Sequence, residues 1–231
     1  MIELQERKDV RALATLDMDG TLLESRSIDV LCRKFGLETE LGEIDRRSDL
    51  PEGYKVSEIV AQLFGGMKAS DLERAFDSIK VVNGAKEFIY FLRKKKFLTA
   101  IVTDSYTFLA SRLAEKLVVD IVWGNKLEIV DGVITGRITM PLGWEKQKKC
   151  QKKAVCKLHA MYKLAQKNQV GMDKTLAIGD SKSDFCIIER AAIGVAFRPK
   201  DFAIIKIADL VVYEDFFELM DKLKPFLDCF Q

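Results

Sequence analysis

An apolar run, Ala12-Leu13-Ala14-Thr15-Leu16, leads directly into Asp17-Met18-Asp19-Gly20-Thr21. A short run of this kind reads as a strand buried on both faces, which is the strand type of a parallel sheet covered by helices. Two carboxylates spaced i, i+2 at the tip of such a strand are costly in isolation. At an effective dielectric near 20, two like charges about 4 Å apart repel by roughly 4 kcal/mol. The pair therefore predicts a compensating cation, most simply a hard divalent metal held by oxygen ligands.

Further along, strand-like runs alternate with helical patterns. Residues 97–103, 118–122, 175–179, 194–197 and 210–212 read as strands. Helical spacing covers 27–36, 55–64, 70–79, 83–93, 106–117, 146–167, the stretch from 184 to 192, 201–207 and the C-terminal segment. Ser70-Asp71-Leu72-Glu73 has the form of a capping box, Leu50-Pro51-Glu52-Gly53 reads as a loop, and Asp131-Gly132 predicts the two-residue turn of a hairpin over 126–138. This alternation predicts an α/β fold with a doubly wound parallel sheet. Residues 24–80 hold helices and no convincing strand, and they fall between the first two core strands. They read as a helical cap inserted into a core built from 1–23 and 81–231.

Composition narrows the function. The chain has 231 residues, 48% of them hydrophobic, and a formal net charge of +2. That balance gives no bulk signal for nucleic acid or membrane. The N-terminus is too charged for a signal peptide, and no apolar stretch is long enough to span a bilayer. Five cysteines without a Cys-x-x-Cys pair read as reduced thiols in a cytoplasmic protein. With His159 the only histidine, a metal site has to be built from carboxylates.

Ligands of doubly wound sheets bind at the carboxyl ends of the strands. Three predicted strands end there in residues of catalytic type: Asp17, Thr103 and Asp180. Asp17-Met18-Asp19-Gly20-Thr21, Thr103, Lys157 and Gly179-Asp180-Ser181-Lys182-Ser183-Asp184 resemble, in order and spacing, the four motifs of the haloacid dehalogenase superfamily, in its phosphoserine-phosphatase-like branch. The inserted helical segment and the 126–138 hairpin are similar to that branch too.

The resemblance implies a magnesium-dependent phosphatase that hydrolyses a small phosphomonoester through an aspartyl-phosphate. Asp17 would be the nucleophile, and Asp19 the general acid and then the base. Mg2+ would be held by Asp17, the backbone carbonyl of Asp19 and Asp180, with Asp184 as ligand or support. Thr103, Asp104, Ser105 and Lys157 would bind the phosphoryl group. The lysine rests on spacing within a crowd that includes Lys146, Lys148, Lys149, Lys152, Lys153 and Lys163; Lys153, one turn earlier, is the alternative. Thr21 would brace the nucleophile's loop or serve an ordinary turn.

The chain departs from the branch in places that bear on substrate. Gly20 replaces a common serine, and Thr103-Asp104-Ser105 replaces Ser-Gly-Gly. Arg26 and Val60 stand where the branch carries a glutamate for the substrate amine and an arginine for its carboxylate. Arg26 is therefore expected either to meet an anionic substrate group or to stand as an exposed arginine at a helix start, and phosphoserine is not expected to be the best substrate. Asp19 argues against a dehalogenase, since that branch lacks the second aspartate. A phosphotransferase or phosphomutase on the same core, or a non-catalytic binding protein with this fold, are the competing readings.

Overall fold

The central strand, β2 (Ala12–Leu16), is buried along its whole length. Its side chains alternate between two cores, with Ala12, Ala14 and Leu16 on one face and Leu13 on the other. The structure, a computed structural model, describes residues 1–5, 7, 9–46, 54–140 and 156–226. Among these residues the strands form one eight-stranded sheet of order β1-β4-β3-β2-β6-β7-β8, with β5 paired to β4. The partners are β1 (Ile2–Glu3), β3 (Phe97–Tyr106), β4 (Ile121–Val130), β5 (Val133–Thr139), β6 (Thr175–Gly179), β7 (Ile193–Phe197) and β8 (Leu210–Val212). β2 pairs in parallel with both β3 and β6. The chain thus winds outward to one side through β3 and β4 and to the other through β6 and β7. The crevice where the winding reverses, above the ends of β2 and β6, is where such sheets bind ligands.

Helices cover both faces, as parallel strands buried on two sides require. α5 (Ala85–Lys94), α6 (Thr107–Leu117) and α10 (Phe216–Leu223) pack on one face. α7 (Lys157–Lys167), α8 (Phe185–Arg190) and the short α9 (Phe202–Ile205) pack on the other. Between β2 and β3 lie α1 (Ser27–Phe35), α2 (Glu38–Asp45), α3 (Tyr54–Leu63) and α4 (Ala69–Asp77). The two ends of this insertion run side by side: Glu24 N–H donates to Lys80 O (2.9 Å), and Leu23 bridges Val81.

Several boundaries differ from the sequence reading. The strand expected over 118–122 begins at Ile121 and continues without a break into the hairpin. Val118 instead closes α6 in the left-handed region, φ 63°, and Asp120 is buried, accepting from Thr99 N–H and Oγ1–H while Arg93 pairs with it. Ser70 does not cap α4. That helix starts at Ala69 because Ala69 N–H donates to Gly132 O and Lys68 bridges Val133, so the hairpin sets its start. The same hairpin exchanges hydrogen bonds between Ile134 and both Gly66 and Met67, tying it to the insertion. Its turn is as expected, with Asp131 and Gly132 at φ 50° and 76°. β1 and α2 have no counterpart in the sequence reading. The 50–53 loop, the 146–155 part of the basic helix, Lys146, Lys148, Lys149, Lys152, Lys153, Cys150 and Cys229 lie outside the described residues. No helix among the described residues is long and apolar enough to cross a membrane.

Candidate active site

Each of the three sequence-marked strands delivers its residue to the crevice. Asp17 N–H donates to Ile178 O at 2.9 Å, which fixes the end of β2 against β6 and brings Asp17 beside Asp180. Gly179 makes the next step possible. A Cβ there would lie 2.2 Å from Asp184 Cγ, so glycine leaves the space that the Asp184 carboxyl fills. Gly20 has φ 84°, and a Cβ on it would lie 2.2 Å from Asp180 Oδ2. Carboxylate oxygens of Asp17, Asp180 and Asp184 consequently fall within 4.8 Å of one another, all three residues buried.

Lys157, the first residue of α7 and only 4% exposed, reaches into this group. Its Nζ donates to Asp17 Oδ1 and Asp184 Oδ1, each at 2.6 Å. Burial works against the charged ammonium, but Asp17 and Asp184 outweigh it and hold its pKa above the usual lysine range. Asp184 serves twice, since its Oδ2 also accepts Ser181 N–H in a capping box. Lys200, which the sequence did not mark, places its Nζ 2.6 Å from Asp180 Oδ2. This contact is one of charge, because Oδ2 has no hydrogen-bond partner of proper geometry among the described residues. Lys200 N–H also donates to Asp180 O (2.7 Å).

The charge balance points to a cation. Asp17 has its pKa raised well above the carboxylate range by burial, with Asp184 and Asp180 adding to the shift and Lys157 opposing it. Asp180 is raised too, by burial, with Lys200 opposing. Three hard oxygen donors, close together and resisting ionisation, are a fitting donor set for a divalent metal.

This has a consequence for stability. A carboxyl whose pKa is raised on folding favours the folded state below its unfolded pKa, and that advantage is lost as pH rises through the folded pKa. Metal-free protein is therefore expected to melt at lower temperature at pH 8 than at pH 6, a window that brackets the neighbouring Asp19 carboxyl, which burial pushes up to about 7, and added Mg2+ to raise the melting temperature more at pH 8. Thermal denaturation in chelator and in Mg2+ checks both. A chelated protein whose melting temperature holds level or climbs between pH 6 and pH 8 would contradict the charge balance described above.

Asp19 stands apart from the three-carboxylate group. Its Oδ1 accepts Ser27 N–H (3.0 Å) and its Oδ2 accepts Ser27 Oγ–H (2.8 Å). Burial raises its pKa to about 7, against the bonds from Ser27 and with a further push from Asp104. Thr103 is fully buried at the sheet end, its Oγ1 accepting Ser105 N–H (3.1 Å), which leaves the hydroxyl proton free to donate. Ser105 Oγ lies 2.9 Å from Ser27 Oγ. Asp104 is exposed, and its backbone carbonyl accepts from Asn125 Nδ2 (2.6 Å). The Thr21 hydroxyl is buried with no hydrogen-bond partner among the described residues, so it does not brace the loop as one reading expected.

Arg26 is engaged elsewhere. Its guanidinium donates to Asp45 (2.7 and 3.2 Å) and to Asp29 (3.1 Å), bonds that take three of its five N–H donors. Val60 is buried in the apolar core and offers no surface to a ligand. Ser27 and Lys200 are the site residues that the sequence reading missed. A serine opening a helix reads as a cap, and Lys200 lies 20 positions beyond its partner with no motif around it.

Comparison with known proteins bears on the family and the fold. The profile of the haloacid dehalogenase-like hydrolases matches residues 14–189. Phosphoserine phosphatase of Archaeoglobus fulgidus is 33% identical over 193 residues, covering 83% of this chain and 54% of that protein. Phosphoserine phosphatase of Idiomarina loihiensis is 32% identical over 208 residues, covering 89% of this chain and 90% of its own. The chain thus spans about half the length of the first and most of the second. A solved structure of a phospho-aspartyl intermediate analogue of phosphoserine phosphatase superposes with a TM-score of 0.78 at 23% identity, over 93% of this chain and 99% of that one. At that identity the likeness speaks for the fold.

Proposed function

The chain belongs to the haloacid dehalogenase-like hydrolases, and from that membership we propose that it is a magnesium-dependent phosphatase for a small phosphomonoester, working through an aspartyl-phosphate. The observation that carries this reading is the buried cluster of Asp17, Asp180, Asp184 and Lys157 at the crevice of the sheet. A protein that only binds a ligand has no need of a nucleophile-type carboxylate held there at such electrostatic cost.

Asp17 attacks phosphorus, forming the acyl-phosphate bond as the ester P–O bond breaks. Asp19 gives its proton to the departing alkoxide. Ionised by that step, it then takes a proton from the water that attacks the acyl-phosphate, and inorganic phosphate and free Asp17 result. A pKa near 7 suits a group that must hold a proton in one step and lack it in the next. The Lys157 ammonium and the Thr103 hydroxyl hold phosphoryl oxygens during both transfers. Asp17, Asp180 and the backbone carbonyl of Asp19 would hold Mg2+, braced by Asp184, and the ion would offset charge on the transferring group. The setting we assign is the cytoplasm, where five cysteines with no Cys-x-x-Cys pair among them suit a reducing medium.

For the substrate we propose the phosphate ester of an alcohol other than serine. Arg26 and Val60 support this, since the Arg26 guanidinium repels an ammonium and the buried Val60 has no group to pair a carboxylate. The test is kcat/KM with Mg2+ for L-phosphoserine against phosphorylated sugars, sugar acids and glycerol phosphates. We expect a member of that panel to exceed phosphoserine. A lead for phosphoserine of about tenfold, or 1.4 kcal/mol in transition-state binding, would overturn the substrate assignment and leave the chemistry standing. Absence of Mg2+-dependent phosphate release from every ester would overturn the function itself.

A further inference from the structure

Both oxygens of Asp19 are gripped by a single residue of the insertion. Ser27 is fully buried and opens α1. Its N–H donates to Oδ1 (3.0 Å) and its hydroxyl to Oδ2 (2.8 Å). One hydrogen bond would leave the carboxyl group free to turn about its Cβ–Cγ bond. Two bonds, one to each oxygen, fix its plane.

The grip is itself braced from the core. A serine hydroxyl has one proton to give. While Ser27 gives its proton to Asp19, Ser105 is the donor in the 2.9 Å contact between the two hydroxyls. Ser105 is in turn anchored by its N–H to Thr103 Oγ1 (3.1 Å). A continuous chain thus runs from the phosphoryl-binding Thr103 through Ser105 and Ser27 to Asp19, crossing from the sheet into the first helix of the insertion.

We propose that Ser27 is the positioning residue for Asp19 as general acid, and that the seating of α1 over the sheet and the readiness of the acid are thereby one event. The proposal rests on the phosphatase reading above. Its chemistry makes a selective claim. A misaligned acid slows only those reactions whose leaving group needs a proton. An alkyl phosphate releases a strongly basic alkoxide and depends on the acid. p-Nitrophenyl phosphate releases a stable phenolate and does not.

The experiment compares wild type, Ser27→Ala and Ser27→Thr, with Mg2+ present, on p-nitrophenyl phosphate and on the best alkyl phosphate of the panel. Ser27→Ala is expected to lower kcat on the alkyl ester by about ten- to hundredfold, part of what a general acid contributes. On p-nitrophenyl phosphate it is expected to stay within about threefold, with KM for both esters within about twofold. Ser27→Thr keeps the hydroxyl and should restore the alkyl rate. Should Ser27→Ala fail to fold, Ser27→Cys, whose thiol is only a weak donor, takes its place and should show the same selectivity with a smaller loss. Equal losses on the two esters, no loss on either, or a faster alkyl reaction would overturn the proposal. If the wild type itself hydrolyses neither ester, the phosphatase reading falls and the proposal falls with it.

Discussion

Asp17→Asn is expected to lose hydrolysis of every phosphomonoester by about 10⁴-fold or more while keeping its fold. The amide matches the carboxylate in volume but cannot attack phosphorus, and groups that act as a unit in catalysis lose nearly everything when one is removed. The stability effect should run the other way. Burial holds the Asp17 pKa high, with Asp184 and Asp180 adding to it, so replacing the carboxyl by a neutral amide removes a costly buried charge from the metal-free protein. Lys157 keeps Asp184 as a partner at 2.6 Å. The variant should therefore melt no lower than wild type in chelator. Turnover near the wild-type rate, or collapse of the fold, would contradict this account of Asp17.

Lys157→Met is the second large effect, and here stability and activity fall together. The ammonium touches both Asp17 and Asp184, and its loss leaves two buried carboxylates without their shared counter-ion. Breaking a buried pair in this way typically costs about 3–5 kcal/mol. Turnover should drop by orders of magnitude, because the cation facing the phosphoryl group is gone. Lys157→Arg is not expected to rescue it, since a planar fork does not replace a point charge in a slot this closely filled. Lys153→Ala, by contrast, is expected to stay within about 0.5 kcal/mol of wild type and near its rate. Chemical denaturation and steady-state rates on the variants decide between the two lysines, and the reverse pattern would move the motif back one helical turn.

What could be read from sequence was what local pattern encodes. The β2 and β6 runs are apolar and end in Asp17 and Asp180, so the strands and the residues at their tips were legible together. Asp131-Gly132 was legible because few other pairs adopt two positive φ angles in succession. What pattern does not encode was lost. Lys157 sits in a run of lysines with no feature of its own, so only the spacing of a whole family could single it out. The Ser27 grip on Asp19 spans eight residues across a turn, and Lys200 meets Asp180 from a separate loop after β7. The Ser70 box failed because the hairpin, some 60 residues downstream, sets the start of α4. α2 escaped notice because it buries only Leu41 and Ile44, too thin an apolar stripe to read.

The central claim is that phosphate passes through a covalent bond to Asp17. Mass spectrometry of protein quenched in acid during Mg2+-supported turnover tests it directly. The account predicts one phosphoryl group on the peptide that contains Asp17, absent from Asp17→Asn and from samples without Mg2+. Steady hydrolysis with no phosphorylated peptide under rapid quenching, or with the group on a different residue, would contradict it.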